Sequence, residues 1–224
     1  LCDAVFKRSM SLDDLFNFWN ENDNFYGSGA LMSTWIGNHD IPRAIHFASG
    51  QIDDCYQGSW VGNSWNPGNF QQPADRAPYE RLALAFGLLL TNRGVPLIYY
   101  GDEIGMAGGG DPDNRRMMMW DGLNDHQTWL RDTVRRLLQI RRENVSLRRG
   151  RRITVTGGTD TFAYKLSGCG EAEDVYVLVN RSDADASISG LPAGSWNELL
   201  TGTPSEGGAP ITVPARSLRI FKAQ

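Results

Sequence analysis

Long apolar runs are absent from this sequence of 224 residues, and cysteine and histidine are scarce, with three of each. The longest apolar run, at 82–90, has nine residues, whereas a membrane-spanning helix needs about 20. We therefore expect no membrane partner. Basic residues are in slight deficit, 22 Lys and Arg against 26 Asp and Glu. The resulting net charge of −4 argues against nucleic acid as a general partner.

The cysteines Cys2, Cys55 and Cys169 lie far apart, and no Cys or His pair has the spacing of zinc ligands. We therefore expect no metal site in this chain. An odd number of cysteines leaves at least one thiol without an intrachain partner, and it does not decide the redox compartment. The sequence begins at Leu1 without a charged-then-apolar signal segment, which is consistent with a processed or truncated piece.

Helical patterns lie near both ends of the first 150 residues. Ser11 is a suitable N-cap, and Asp14 occupies the capping-box position. Apolar residues then recur at helical spacing, at Leu12, Leu15, Phe16 and Trp19. A second helix is predicted at about 125–144, with an inner stripe of Leu130, Val134, Leu137 and Leu138. We interpret the arginines at 131–152 as a solvated helix face rather than a nucleic-acid patch.

Two short apolar runs, at 31–36 and 95–100, predict buried strands. The helix between them is apolar nearly all round. Its predicted start is Pro78, and its predicted end is Gly94 in a left-handed C-cap. Strand, crossover helix and strand, with both strands apolar on both faces, predict a βαβ unit in a parallel sheet.

Short alternating runs separated by Gly, Pro, Asp and Ser begin near residue 151. They lie at 153–155, 162–166, 175–179, 211–213 and 218–220, and they predict a small antiparallel β domain, a sandwich. Phe162, Tyr164 and Leu166 are assigned to its core rather than to a sugar platform. The predicted fold class is therefore α/β plus all-β, with domains at 1–150 and 151–224.

Polar residues follow each predicted strand of the first domain. The segment 38–40 comes directly after the first strand, and 102–103 and 108–115 follow the second. Ligands bind at the carboxyl ends of strands in parallel α/β sheets. If the two strands are neighbours, both polar clusters face one cleft.

Three motifs carry a family resemblance. Gly-Asn-His-Asp at 37–40 resembles the fourth conserved motif of the α-amylase family, the family 13 glycoside hydrolases. The residues at 94–105 resemble that family's last barrel strand, and Asp-Pro-Asp-Asn-Arg at 111–115 resembles the loop after it. The resemblance covers essentially the whole chain. It implies the C-terminal portion of a TIM (β/α)8 barrel, from about the sixth strand to the eighth helix, followed by a small antiparallel β-sandwich.

The resemblance also implies site residues. The family acts on α-glucosidic bonds with retention, by hydrolysis or, alternatively, by transglycosylation or isomerisation. Asp40 matches the Asp that stabilises the transition state. His39, Asp111 and Arg115 match residues that bind the same glucosyl unit. Arg43 also fits the family pattern, and for it a structural role is favoured.

Trp60 and Trp65 lie in a long polar loop at about 38–77. Their rings could stack on sugars at the leaving-group side, although we favour a structural role in which they hold the loop in place. The family's nucleophile and general acid have no counterpart in these residues, and Asp102 and Glu103 match other family positions. The chain would therefore supply one part of a parent enzyme and be inactive alone.

The expected partners are an α-glucan or maltooligosaccharide substrate and the missing half of the barrel, or a swapped copy of this chain. No cofactor is expected in this chain, and calcium would belong to the missing part of the parent. A secreted or periplasmic location is favoured over a cytoplasmic one. A non-catalytic carbohydrate-binding or scaffold piece is the alternative from a different functional class.

Overall fold

The computed structural model describes residues 1–27, 29–56, 60–62, 70–168, 170 and 173–224. Up to residue 149 the chain is mainly helical, with a π-helical segment Cys2–Lys7 and the α-helices α1 Leu12–Tyr26, α2 Ala44–Ser49, α3 Arg76–Leu90, α4 Asp125–Glu143 and α5 Val145–Arg149. The strands β1 Ser33–Trp35 and β2 Val95–Leu97 and the 3₁₀ turns Asp102–Ile104 and Asp113–Arg115 lie among these helices.

The described residues after α5 form antiparallel sheets. The strands are β3 Arg151–Thr156, β4 Thr161–Ser167, β5 Val175–Asn180, β6 Ala186–Ile188, β7 Ser195–Glu198, β8 Thr203–Glu206, β9 Ile211–Val213 and β10 Ser217–Ala223. Six of them form one sheet in the order β3-β4-β5-β10-β7-β8, and β6 pairs with β9 in a separate ribbon. The predicted antiparallel pattern is confirmed, although β6, β7 and β8 were missed because their sequences are short and mostly polar.

Helix α1 begins where the sequence predicts. The Ser11 hydroxyl accepts a hydrogen bond from the backbone N–H of Asp14 at 3.0 Å, and the Asp14 carboxylate accepts one from the Ser11 N–H at 3.3 Å. This reciprocal pair satisfies two N–H groups that the first turn leaves without helical partners. The predicted apolar stripe is buried, at Leu12, Leu15, Phe16 and Trp19.

The predicted βαβ unit is present. Strand β1 pairs in parallel with β2, in a register that places Ser33 opposite Val95, and α3 joins the two strands in the sequence. The bounds of α3 differ from the prediction. The helix begins two residues before Pro78, because a proline is tolerated in the first turn, where its missing N–H has no helical partner. It ends at Leu90, and Thr91 donates a side-chain hydrogen bond back to the Gly87 carbonyl at 2.6 Å.

Gly94 is therefore not the helix cap. Its φ is +117°, and a Cβ on this residue would overlap the carbonyl oxygen of Met32. Glycine is needed here because the backbone passes close to the chain leading into β1. The residue sets the approach of the two parallel strands instead of ending α3.

The prediction that both strands are buried is wrong. The relative exposures of four large apolar side chains on or beside β1 and β2 are 49% for Leu31, 48% for Trp35, 53% for Val95 and 46% for Leu97. The physical reason is that the parallel sheet has only two strands among the described residues. Part of its apolar surface therefore has no neighbouring strand or layer to cover it.

Helices and sheet share one core. The Phe16 ring of α1 stacks on Phe162 of β4 with ring centroids 4.0 Å apart. On α3, a Cβ on Gly87 would overlap the Leu218 side chain of β10. Phe162, Tyr164 and Leu166 are buried, as predicted for core residues. The inner face of the sheet thus depends on the helices, and the domain boundary at 150 stays a prediction.

The opposite face of the sheet is covered by the β6–β9 ribbon. Ile188 and Val213 of the ribbon belong to a buried apolar cluster with Tyr176, Trp196 and Phe221 of the sheet. The six-stranded sheet therefore packs between a layer of helices and a two-stranded ribbon.

Helix α4 differs from the prediction on one flank. Leu130, Val134 and Leu137 are buried, but Leu138 is 41% exposed, because each helical residue turns the face by about 100°.

The arginine segment at 131–152 is not uniformly exposed to solvent, contrary to the prediction. Arg141 is buried and donates to the carbonyls of Leu90, Asn92 and Leu147 at 2.7–2.8 Å, and burial lowers its pKa to about 10.

A disulfide joins Cys2 to Cys55. It links the π-helical segment at the start of the chain to the segment that follows α2, across 53 positions. Cys169 lies outside the described residues. The disulfide pairing was left open by the sequence.

Within the described ranges, none of the helices combines the length and the apolar character that crossing a bilayer would require. The same residues contain no group of three or more His, Cys, Asp and Glu side chains placed to hold a metal ion.

Candidate functional site

The two polar clusters meet beyond the carboxyl ends of β1 and β2. Because these strands are parallel neighbours, the chain leaves both at the same edge of the sheet. The Asn114 side chain then fastens the loops to each other. Its Nδ2 donates to the carbonyl of His39 at 2.8 Å and to that of Ile41 at 2.9 Å. The expected proximity of the two clusters is therefore present in the structure.

Four of the predicted site residues lie together. Asp40 Oδ1 is 3.5 Å from His39 Nε2 and 3.8 Å from Arg115 Nη2. Arg115 Nε is 3.2 Å from Asp111 Oδ1 and also donates to the His39 carbonyl at 3.2 Å. The four side chains remain largely accessible to solvent, with between 41% and 67% of each exposed. An open face with two carboxylates, an imidazole and a guanidinium can bind a polyhydroxyl ligand and stabilise positive charge.

The turn that presents Asp40 is held by its own residues. The backbone N–H of Asp40 donates to Asn38 Oδ1 at 2.7 Å. An Asn side chain that bonds to the backbone two residues later forms an Asx-turn. Asn38 thus fixes the direction in which the Asp40 carboxylate leaves the loop.

Arg43 is buried beneath this turn, with 1% exposure. Its guanidinium donates to the carbonyl of Tyr100 and lies 3.5 Å from Asp102 Oδ1. It also lies over the rings of Tyr99 and Tyr100, at 4.3 and 4.6 Å from their centroids, in cation–π geometry. These contacts connect the loop after β1 to the segment after β2, and they support the structural role expected for Arg43.

Asp102 is the buried partner of Arg43. Burial raises the pKa of Asp102 to about 7, although the Arg43 charge acts in the opposite direction. The carboxylate also contacts Gly37, where an added Cβ would overlap Asp102 Oδ2. Asp102 therefore supports the loop from below and does not reach the exposed cluster. This role depends on contacts across more than 50 positions, which the sequence did not reveal.

His46 on α2 is a second buried support. Its Nε2 accepts a hydrogen bond from the Gly108 N–H at 2.9 Å, so the proton lies on Nδ1, which donates to Gln51 Oε1 at 2.6 Å. Burial lowers the pKa of His46 to about 4, which keeps the imidazole neutral. The residue positions the glycine-rich segment that leads to Asp111. Its place in an apolar run was the available signal in the sequence.

Trp60 is 75% exposed, so its ring does not pin the loop by burial, contrary to the role we favoured. The loop is held through its backbone instead, because the Gly110 N–H donates a hydrogen bond to the carbonyl of Val61, the residue after Trp60. A stacking role for Trp60 stays a prediction. Trp65 lies outside the described residues.

Two curated proteins match most of the chain in sequence. A cyclomaltodextrinase from Geobacillus thermopakistaniensis is 30% identical over 171 residues, which are 75% of this chain and 24% of that protein. A cyclomaltodextrin glucanotransferase from Paenibacillus macerans is 30% identical over 202 residues, 87% of this chain and 23% of that protein. This chain thus spans about a quarter of the length of these curated relatives. No family model matches it.

A solved structure shares the fold. The α-amylase of Anoxybacillus superposes with a TM-score of 0.76 at 26% identity, covering 99% of this chain and 44% of that one. The similarity therefore includes both the helical part and the antiparallel sheets. Sequence relatives, the superposed fold and the three motifs agree, and the chain belongs to the α-amylase family of glycoside hydrolases.

Proposed function

We propose that this chain is the C-terminal portion of a retaining glycoside hydrolase that acts on α-glucans. The observation that carries the proposal is the convergence of His39, Asp40, Asp111 and Arg115 at the ends of two parallel strands. Each of the four also matches a family motif. Asp40 stabilises the transition state, and the other three bind the glucosyl unit whose bond is broken.

Retention requires a nucleophilic carboxylate and a general acid about 5–5.5 Å apart. In the parent enzyme both lie on barrel strands outside this chain, because the residues of this chain match the family positions from about the sixth strand onward. In the transition state, positive charge develops at the sugar ring. A carboxylate at the position of Asp40 stabilises that charge and holds ring hydroxyls without attacking the sugar. The 224-residue chain alone is therefore inactive.

The rest of the barrel is the partner that the proposal requires. The apolar side chains of Leu31, Trp35, Val95 and Leu97 are about half exposed. Further parallel strands would cover this surface and pair with the edges of β1 and β2 that have no neighbouring strand among the described residues. These strands belong to the same protein or to a swapped copy of this chain.

We also propose that the protein acts outside the reducing cytoplasm. The Cys2–Cys55 disulfide supports this location, because disulfides persist in oxidising compartments such as the bacterial periplasm or the extracellular medium.

Asp40→Asn in the full-length protein that contains this chain tests the proposal. The expected result is a loss of orders of magnitude in kcat on maltooligosaccharides with unchanged folding, because the lost interaction is stronger in the transition state than in the ground state. Asp132→Asn on the outer face of α4 is the matched control and should retain activity. Near-normal kcat for Asp40→Asn would contradict the assigned role.

Transglycosylation is the second candidate, because one of the relatives named above is a cyclomaltodextrin glucanotransferase. The products distinguish the two reactions. A hydrolase releases one reducing end for each bond broken, whereas a transferase makes new or cyclic oligosaccharides with little net gain of reducing ends.

A further inference from the structure

A polar cavity of about 430 Å³ lies between helix α1, the turn after α3 and the first residues of β3. The side chains that line it are Asn20, Asp23 and Asn24 of α1, Arg93 of the turn, and Arg151 and Arg152 of β3. The volume lies within the range of small-molecule sites. The cavity is therefore placed at the junction between the layer of helices and the antiparallel sheet.

This cavity is remote from the candidate site. On its wall, Gly27 precedes β1 and Arg93 precedes β2, whereas Asp40 and Asp111 follow the carboxyl ends of the same two strands. In (β/α)8 enzymes the catalytic groups lie at the carboxyl ends of the strands. A ligand in the cavity would therefore bind at the opposite end of the parallel strands from Asp40.

The lining carries an excess of positive charge. Among the described residues, its charged groups are three guanidiniums and one carboxylate, that of Asp23. Asp23 Oδ2 accepts a hydrogen bond from Arg152 Nη2 at 2.9 Å, so the carboxylate is already paired with one arginine. Burial lowers the pKa of Arg152, and the charge on Arg93 acts in the same direction. An anion in the cavity would reduce the repulsion between these like charges.

Arg152 holds the walls of the cavity together. It is 7% exposed, and its guanidinium donates to Asn92 Oδ1 and to Asn20 Oδ1, the latter at 3.1 Å, in addition to Asp23. These bonds connect β3 to α1 and to the turn after α3. The role of Arg152 is therefore structural, and its two terminal nitrogens are already used within the protein.

Arg151 and Asn20 retain donors for a ligand. The Arg151 side chain is exposed, and its guanidinium takes part in no ion pair or hydrogen bond with the described residues. Asn20 is half-buried, and its Oδ1 is used by Arg152, but its Nδ2 donates to none of the described residues. Both residues line the cavity and remain accessible from it.

A phosphoryl group matches this set of donors. A phosphomonoester carries close to two negative charges at neutral pH and has three strong acceptor oxygens. The planar fork of a guanidinium binds two of these oxygens at once. A carboxylate brings a single charge and two oxygens, so it balances the excess charge of the lining less well. The phosphoryl group fills only a part of the cavity, and the amides of Asn20 and Asn24 can bond to hydroxyls of the group that carries it.

We propose that this cavity is a binding site for a phosphoryl group, carried by inorganic phosphate or by a small phosphorylated sugar. Arg151 binds the phosphoryl oxygens, and Arg93 adds positive charge beside them. The inference rests on the lining of the cavity and is independent of the proposed function. Because the ligand contacts α1 and β3 together, its binding favours the folded arrangement of helices and sheet.

Calorimetric titration of the full-length protein at low ionic strength tests the proposal, with inorganic phosphate, glucose 6-phosphate and, as the neutral control, glucose. Arg151→Ala should weaken binding of the phosphorylated probes about tenfold, because charge-assisted hydrogen bonds are lost. The variant should fold normally, since the side chain is exposed and unpaired. Arg142→Ala is the matched control. Arg142 is also an exposed arginine, and it does not line the cavity.

Asp23→Asn gives a change of the opposite sign. The amide keeps an oxygen for Arg152 and removes the negative charge, so phosphate should bind about three- to tenfold more tightly. A purely structural role of these residues predicts no such gain. Absence of the gain in a variant that unfolds at the same temperature as wild type would contradict the inference.

The two phosphorylated probes identify the source of the phosphoryl group. Tighter binding of glucose 6-phosphate indicates a phosphorylated sugar, and tighter binding of inorganic phosphate indicates the free ion; either result supports the site. The inference is overturned if neither probe binds, if Arg151→Ala binds as wild type does, or if glucose binds as well as glucose 6-phosphate. An equal loss in Arg142→Ala would also overturn it, since the effect would then come from the net charge of the protein.

Discussion

Asn114 holds the carbonyl of His39 with its side-chain amide at 2.8 Å, across 75 positions of sequence. The same Nδ2 reaches the Ile41 carbonyl at 2.9 Å, so one buried side chain closes the turn that presents Asp40 from both sides. Asn114 lies in the short 3₁₀ turn Asp113–Arg115, whereas the segment from His39 to Ile41 contains no helix or strand that could fix its position. Asn114 thus positions the candidate site without belonging to its exposed surface.

Asn114→Ala in the full-length protein should lower the free energy of unfolding by about 1–3 kcal/mol, because a buried amide that bonds to two loop carbonyls is lost. In the full-length protein it should also lower kcat through displacement of Asp40. Urea denaturation and initial rates measure the two effects. Asn24→Ala on the exposed side of α1 is the control and should change stability by less than about 0.5 kcal/mol. Equal stability of Asn114→Ala and wild type would contradict this role.

Gly37→Ala should destabilise the protein by about 1–3 kcal/mol, since the added methyl group overlaps the buried carboxylate of Asp102. Gly29→Ala is the matched control, because a Cβ there meets no atom within 4 Å. Thermal unfolding of the two variants gives the comparison. In the double variant Gly37→Ala/Asp102→Ala the overlap is absent, so the two losses should be less than additive; full additivity would show that the contact is not the cause.

His46 should make stability depend on pH. The imidazole is neutral in the folded protein, where burial lowers its pKa to about 4, while in the unfolded chain it takes up a proton near pH 6.5. Its contribution is therefore present above pH 6.5 and is lost as the pH falls towards 4, by on the order of 3 kcal/mol in total. Urea denaturation of the full-length protein at pH 7 and at pH 4.5 measures the loss.

His46→Gln should remove this component while keeping an amide oxygen that can accept from the Gly108 N–H. Asp102 contributes a pH dependence of the opposite sign. Burial raises its pKa, so Asp102 stabilises the fold at low pH, and this contribution to stability is lost as the pH rises towards 7. The difference between wild type and His46→Gln at each pH isolates the histidine. A pH-independent difference would exclude His46 as its source.

The exposed apolar surface of β1 and β2 should make the isolated 224-residue chain associate. Each large side chain left half exposed forgoes part of the roughly 1.5–3 kcal/mol that full burial provides. Sedimentation should show oligomers, and near-UV circular dichroism should show no single cooperative unfolding. Leu31→Ser/Leu97→Ser should reduce association, whereas Val155→Ser on β3 should not. A monodisperse monomer that unfolds cooperatively would refute this expectation.

Local signals in the sequence predicted local structure well. The capping box at Ser11 and Asp14 formed as expected, because both partners lie within one helical turn. The run at 31–36 was correctly predicted to contain a strand and wrongly predicted to be buried. Its apolar residues indicate a surface that becomes buried only when further strands pack beside it. Burial depends on neighbouring strands, and the described residues supply only one.

The exposed cluster was predicted through its motifs. The buried residues that hold its loops in place were not predicted. His39, Asp40, Asp111 and Arg115 belong to short motifs whose order along the chain suggested their proximity. Asn114, His46 and Asp102 act through contacts across 59 to 75 positions. Such contacts follow from the folded arrangement of loops and have no local pattern in the sequence.

The Cys2–Cys55 bond turns the first quarter of the chain into a covalent ring that contains β1, His39 and Asp40. A protease cut anywhere between the two cysteines would leave both fragments on one molecule, so the Asp40 turn would remain attached to α3 and the sheet. The ring also limits how far the unfolded chain can expand, which by loop-closure entropy contributes roughly 4 kcal/mol. The segment that presents Asp40 is thus retained even when its backbone is broken, and a reducing agent would release it.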